Sequence, residues 1–189
     1  ESIRDFASIM SEGRVLGTIY RNDSRPGSRE FDLPEQGCQL EILVDMMGRV
    51  NFGPALLTER KGLVGPGSVQ LGSPFTGPMR ALLGWEIFPL PMDEEMLSRL
   101  SWDRKVQRQW TRGPRFFRFA LHVQQPADGF LALDGFKKGF ACINGFNLGR
   151  YWEVGPQRSL YIPGPLLQRG RNEVLIFDID SPACGENRA

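Results

Sequence analysis

Ile143-Asn144-Gly145-Phe146-Asn147-Leu148-Gly149-Arg150-Tyr151-Trp152, continuing through Gly155-Pro156-Gln157 to Leu160-Tyr161-Ile162-Pro163, decides the architecture, because a weaker copy of it lies upstream. Ser11-Glu12-Gly13-Arg14-Val15-Leu16-Gly17 matches Ile143 to Gly149 at both glycines and at the leucine. Each copy passes through a polar turn to an apolar residue before proline, Leu33-Pro34 in the first and Ile162-Pro163 in the second. Each then ends in an alternating apolar run, Leu40 to Val44 and Val174 to Ile179. Self-similarity in a fixed order sets the architecture before any local assignment. Two copies are too few for a solenoid, so the chain reads as two related domains.

The surrounding composition agrees. The chain has 189 residues, enough for one large β domain or two small ones, with 22 Gly and 14 Pro punctuating it into short segments. Mean hydropathy is −0.29. A net charge of +1 gives no global field toward nucleic acid or an anionic membrane. No apolar run approaches the roughly 18 residues of a membrane helix. The three cysteines, Cys38, Cys142 and Cys184, form no C-x-x-C pair, and with one histidine there is no metal pattern. Cys142 lies in an apolar run and reads as a buried small hydrophobe; a Cys38–Cys184 bridge stays open. Asn22-Asp23-Ser24 is a glycosylation sequon.

Moving outward, Gly13 and Gly17 bracket a hairpin from Ile9-Met10 to Leu16–Tyr20, and Arg21 to Arg29 is a polar loop. Gln39 to Asp45 alternates as a half-buried strand. Gly48-Arg49-Val50-Asn51-Phe52-Gly53 is a glycine-bounded turn. Residues 63–78 are Gly/Pro-dense, with short strands at most. Residues 81–90, carrying Trp85, Ile87 and Phe88, are a strand candidate. Asp93 caps a helix to Leu100, with Glu94 and Glu95 at its positive end and Met96, Leu97 and Leu100 on one face. Phe117 to Leu121, Phe130 to Leu133, Gly139 to Asn144, Leu148 to Trp152 and Arg171 to Ile179 complete the strands. Closely spaced short strands with turns between them predict an all-β chain of two β-sandwich or jelly-roll domains. The boundary is expected near residue 80, giving domains 1–80 and 81–189.

Catalytic signals are weak. His122 lies mid-strand with no G-x-S-x-G to serve, and reads as a strand-face histidine with a hydrogen-bond partner. Asp93-Glu94-Glu95 is explained as a helix N-terminus. Asp178 and Asp180 share a strand face, but a retaining glycosidase needs two carboxyls about 5–5.5 Å apart, one with a raised pKa. No phosphate loop is present. Arg104, Lys105, Arg108, Arg112, Arg115 and Arg118, interleaved with Trp110, Phe116 and Phe117, contain what a single-stranded nucleic acid needs; a solvated linker running into a core strand explains them as well, and no nucleic-acid partner is expected. Sugar binding is the best local candidate: Trp152, Arg150 and Asn147 supply a ring, a guanidinium and an amide within six residues. Tyr151 and Trp152 are adjacent in a strand and face opposite ways, so only one can serve a platform. The alternative is a type I′ turn at Asn144-Gly145 with Trp152 in the core.

Three stretches then carry a resemblance across nearly the whole chain. Ile143 to Trp152 with Gly155-Pro156-Gln157 and Leu160 to Pro163, Asp45 to Gly53 with Arg60-Lys61-Gly62-Leu63, and Trp85-Glu86-Ile87-Phe88-Pro89-Leu90 resemble, in order, the C-terminal region of β-galactosidases of glycoside hydrolase family 35. The resemblance implies two galactose-binding-like β domains following a (β/α)₈ barrel that holds both catalytic glutamates of a retaining hydrolase of terminal β-galactose. It implies no catalytic residue in this chain, no cofactor and no metal. The barrel is the implied partner, galactoside is reached through it, and a homo-oligomer is possible. It implies that the first domain lacks an edge strand before Ser2, a loss that invites self-association. It also implies that the Gly48–Gly53 loop reaches the barrel's sugar pocket through Phe52, supported by Asn51 and Arg49, where many members have tyrosine for Phe52. An inward-packed Phe52 is the competing expectation, and a free-standing carbohydrate-binding module is the alternative for the chain as a whole.

Overall fold

The computed structural model describes residues 2–21, 23, 29–65, 68–70, 77–102 and 110–184. Asn22 and Ser24 of the sequon, and Arg104, Lys105 and Arg108 of the basic segment, lie outside the described residues. The chain divides into two compact units, Glu1–Leu90 and Pro91–Ala189. Residues 81–90 thus group with the first unit, ten residues beyond the boundary expected from sequence.

In the first unit, β1 (Ser2–Arg4) pairs with β5 (Gly62–Val64). β2 (Phe6–Ser11) is the centre of an antiparallel sheet, flanked by β3 (Arg14–Tyr20) and β4 (Glu41–Asp45). The β2–β3 turn is Glu12-Gly13, with φ of 50° and 74°, the positive pair a tight hairpin requires. Ile9 pairs with Gly17 and Met10 with Val15, so Leu16 is the extra residue of a bulge. Ile3, Ala7, Ile9 and Ile19 form the buried centre, with Phe31, Leu40, Ile42 and Val44 packed on it. β6 (Ser68–Gln70) and β7 (Met79–Ala81) make a separate pair.

The strand expected around Trp85 does not form: no ladder bonds run through residues 82–93. Gly84 sits at φ 74° and turns the chain, while Pro89 and Pro91 have no amide to donate. Ile87 and Phe88 are left exposed.

The second unit opens with α1 (Glu94–Ser98), where the Asp93 carboxylate accepts from the Met96 amide at 2.9 Å. This is the cap the sequence predicts. β8 (Gly113–Val123), β10 (Lys138–Ile143), β11 (Phe146–Trp152) and β13 (Gly170–Ser181) form one sheet in the order β11-β10-β13-β8. β9 (Gly129–Ala132) and β12 (Ser159–Ile162) form the other. Ala141, Ile143, Tyr151, Val174 and Ile176 from the first sheet meet Leu133, Leu160 and Ile162 in one core. Asn144-Gly145 turns at φ 47° and 83°, and the ladder slips between Ala141 and Cys142, with Leu148 as the extra residue.

The two hairpins coincide residue for residue, Phe6–Tyr20 answering Lys138–Trp152. The third strand follows suit: Ala7 lies opposite Val44 as Gly139 lies opposite Asp178, and Ile9 opposite Ile42 as Ala141 opposite Ile176. Both units therefore carry the same three-stranded sheet, as the repeat implied. β8 extends it in the second unit and has no counterpart among the described strands of the first. Cys38, Cys142 and Cys184 are all free, so the bridge left open by the sequence is not formed. Cys142 is buried, and desolvation pushes its thiol pKa up.

Candidate functional site

The loop after β4 is fastened from beneath by charge. Asp5 follows β1 and Lys61 precedes β5, so the β1–β5 pairing brings them together, Nζ to Oδ2 at 2.8 Å. Arg21 Nη1 donates to Asp5 Oδ1 at 2.7 Å, and Lys61 Nζ lies 3.1 Å from Glu59 Oε1. The side chains of Asp5 and Lys61 are 0% and 3% exposed. Glu59 Oε2 accepts the amide of Val50 at 2.9 Å. That amide, then Lys61, holds the Glu59 carboxyl below its ordinary pKa. Two acids and two bases balance, so burial leaves no net charge uncompensated. The neutral quartet grips the loop at Val50, one residue from Asn51.

Phe52 stands out from this anchored loop, 91% exposed. The inward-packed alternative is not what the structure shows. Met46, Leu56 and Leu57 are exposed beside it in sequence, the last two in a 3₁₀ turn over Pro54–Leu57. Gly53 starts that turn at φ 96°, a conformation side chains rarely adopt. Arg49 and Asn51 are also exposed. A cleft of about 300 Å³ beside the loop is lined by Arg4, Arg21, Val50, Glu59 and Arg60 among others, and by none of Arg49, Asn51 or Phe52.

In the second unit, Asn147, Arg150 and Trp152 lie opposite Cys142, Phe140 and Lys138, alternate residues of β10. The Leu148 bulge therefore places all three on one sheet face, although Asn147 and Arg150 are three apart. They do not converge on one pocket. Asn147 Oδ1 turns back to accept the amide of Gly149 at 2.8 Å. Trp152, half-buried, lines a cleft with Asp134, Phe136 and Arg158, residues that no sequence motif grouped with it. Tyr151 takes the core position instead; its hydroxyl donates to the Phe177 carbonyl at 3.1 Å, and burial drives its pKa up.

The remaining catalytic candidates are committed to structure. Asp178 accepts from the amides of Lys137, Lys138 and Asp180 at 2.9, 3.2 and 3.2 Å. Burial raises its pKa against these three amides, which lower it. Asp180 is gripped by Arg112, whose Nε and Nη2 each lie 2.7 Å from its oxygens. His122 is exposed on β8 opposite Arg171. Asn144, in the hairpin turn, donates to Leu166 and Asn172 and accepts from Glu173. Its amide is thus spent on tying the turn to the start of β13.

Sequence reading missed Asp5, Arg21, Glu59 and Lys61 as a group. The one available signal was charge at Glu59-Arg60-Lys61 directly after an apolar turn.

Comparison with known proteins agrees with both halves. Residues 1–91 match the family described as "Beta-galactosidase, first all-beta domain", and residues 114–172 the family described as "Beta-galactosidase, galactose-binding domain". The chain is 39% identical to Beta-galactosidase 1 of Dictyostelium discoideum over 74% of its own length and 20% of the relative's. It is 38% identical to the Beta-galactosidase of Xanthomonas manihotis over 85% of the chain and 24% of that protein. It is 36% identical to Beta-galactosidase-1-like protein 3 of Rattus norvegicus over 94% and 27%. The matched segment spans a quarter or so of each of these relatives.

Proposed function

Because the chain belongs to the β-galactosidase family, we propose that its two β units are the non-catalytic support of a β-galactoside-cleaving, retaining (β/α)₈ barrel. The first unit shapes the barrel's active-site mouth. The observation that carries this is the Gly48–Gly53 loop: apolar and exposed at its tip, yet pinned at Val50 by an ion quartet of which Asp5, Glu59 and Lys61 are buried. A surface loop that needed only solvent would gain nothing from an exposed phenylalanine on a charge-fastened base. A contiguous exposed apolar surface marks a contact site. Phe52 offers apolar contact to a sugar ring, and Arg49 and Asn51 flank it.

The carboxylates are consistent with a support role. Asp178 and Asp180 are held by amides and by Arg112, and Asp93 is a helix cap. The chain alone is expected not to hydrolyse a chromogenic β-galactoside; turnover abolished by changing one of its own carboxylates would overturn that.

The positive test is complementation. The Xanthomonas manihotis β-galactosidase, with its matched quarter deleted, is mixed with this chain and assayed. Restored turnover is expected, and a loss of at least tenfold in kcat/KM with Phe52→Ala. That corresponds to about 1.4 kcal/mol of transition-state stabilisation. Restored activity indifferent to Phe52→Ala would confine the role to bracing.

A further inference from the structure

We propose that the cleft beside the Gly48–Gly53 loop in the first unit is an anion site, where the guanidinium groups of Arg4 and Arg60 hold one small oxyanion: a sulfate, a phosphate or a carboxylate. Phe52 does not line this cleft, so the site stands apart from the sugar contact proposed above and does not rest on it.

The cleft carries more positive charge than the fold uses. Arg4, Arg21 and Arg60 line it, and Glu59 is the acid among its lining residues. Arg21 is committed to Asp5 at 2.7 Å. Glu59 is committed as well: Oε1 lies 3.1 Å from Lys61 Nζ, and Oε2 accepts the Val50 amide. The neutral quartet therefore leaves no acid for Arg4 or Arg60. Neither of these two makes a hydrogen bond or ion pair with any described residue. Arg4 is, moreover, only partly exposed. A guanidinium partly withdrawn from water gains most from an anion that it can grip with two parallel N–H groups.

The backbone explains why the two arginines share this space. Asp5 and Lys61 form a buried pair, and each is preceded by an arginine. The β1–β5 register sets Arg4 opposite Gly62, two residues on from Arg60. Gly62 contributes no side chain, and a Cβ there would meet nothing within 4 Å, so room remains beside Arg4. Ala55 and Thr58 of the 3₁₀ turn also line the cleft. The Glu59 amide donates to the Ala55 carbonyl at 2.9 Å, which fixes that turn to the quartet. The Thr58 hydroxyl is exposed and without a partner among the described residues, and adds a neutral donor. Two guanidinium groups, one hydroxyl and no uncommitted carboxylate favour an anion over a neutral ligand or a metal ion. The volume, about 300 Å³, is at the lower end of small-molecule sites. That suits a single small anion together with water bridging its remaining oxygens.

The test is calorimetric titration of this chain with sodium sulfate, sodium phosphate and sodium acetate, each against sodium chloride at matched ionic strength. Saturable binding of at least one oxyanion beyond chloride is expected, and the tightest of the three identifies the group. Arg4→Gln and Arg60→Gln are each expected to weaken it about tenfold. Arg14→Gln changes an exposed arginine of the same unit that does not line the cleft, and is expected to leave binding unchanged. Arg60 is exposed and has no described partner, so its variant is expected to keep the Tm and decides should Arg4→Gln not fold. No saturable binding beyond chloride, or binding that Arg60→Gln leaves intact, would overturn the proposal. So would equal losses in Arg60→Gln and Arg14→Gln, which would mark a general effect of net charge. None of these results bears on complementation.

Discussion

The two hairpins share turn, bulge and register, yet they are finished differently. In the first, Ala7 faces Ile19; in the second, Gly139 faces Tyr151. The volume removed from one strand reappears on the other. The second hairpin thereby gains a buried hydroxyl that reaches across to the Phe177 carbonyl, and the same end of the hairpin borders the cleft lined by Tyr151 and Trp152. The first keeps an aliphatic centre of Ile3, Ala7, Ile9 and Ile19 and places its specialisation at the strand ends, where Asp5 and Arg21 join the ion quartet. A backbone used twice fixes topology and leaves side-chain volume and charge free to diverge.

Exchanging the small residues breaks this comparison most sharply. A Cβ on Gly139 would lie 1.8 Å from the Phe177 carbonyl oxygen, a backbone atom mid-sheet that cannot step aside. Gly139→Ala is expected to cost more than about 3 kcal/mol, beyond ordinary overpacking, or to prevent the second unit from folding. The matching change Ala7→Gly removes only a methyl and stiffness, for about 1 kcal/mol. Urea denaturation of both variants measures the contrast; equal losses would mean the hairpins are not specialised as described.

Next comes charge. Lys61→Met leaves Asp5 and Glu59 buried with only Arg21, and losing one partner of a buried pair costs about 3–5 kcal/mol. Proteolysis within residues 48–57 should quicken at the same time, since Glu59 holds Val50. A loss under about 1 kcal/mol, the size of an exposed pair, would show that the loop is held by something else.

The bulge glycines offer a finer contrast. Gly149 sits at φ 116°, where a side chain is strained, so Gly149→Ala is expected to cost about 1–3 kcal/mol. Gly17 has no such φ, and a Cβ there would meet Arg29 at an ordinary 3.5 Å. Gly17→Ala should be neutral or stabilise by about 0.4–1 kcal/mol through the unfolded chain. Thermal unfolding of the pair reads the difference directly.

What the sequence made legible was local. Asn144-Gly145, the Asp93 cap and the alternation of Phe117 to Leu121 state their conformation within a few residues, and each formed. The repeat let one hairpin vouch for the other. Long-range pairing was not visible: Asp5 and Lys61 are 56 positions apart, and nothing local says that β1 meets β5. Nor does alternation alone say which of Tyr151 and Trp152 turns inward; that depended on Gly139 clearing space across the strand. The Trp85 stretch misled because apolar residues before a proline read alike whether they fill a ladder or lie exposed. The three residues grouped as a sugar platform do not converge on one pocket; Trp152 lines a cleft with residues of 133–137 and with Glu153 and Arg158, most of them outside the six-residue window.

Acid should separate the two units. Glu59 has a folded-state pKa below its ordinary value, held there first by the Val50 amide. Its contribution is complete above the ordinary carboxylate value and is lost as pH falls through the lowered one. Asp178 has the opposite sign, because burial raises its pKa. Its contribution is complete below its ordinary value and is lost as pH rises through the raised one. Lowering the pH through both windows should therefore loosen the Val50 amide while leaving those of Lys137 and Lys138 as protected or better. Amide hydrogen exchange, corrected for its intrinsic pH dependence, reports each site separately. Parallel loss of protection at all three amides would mean that acid acts on both units through a common opening, not through the carboxylates that distinguish them.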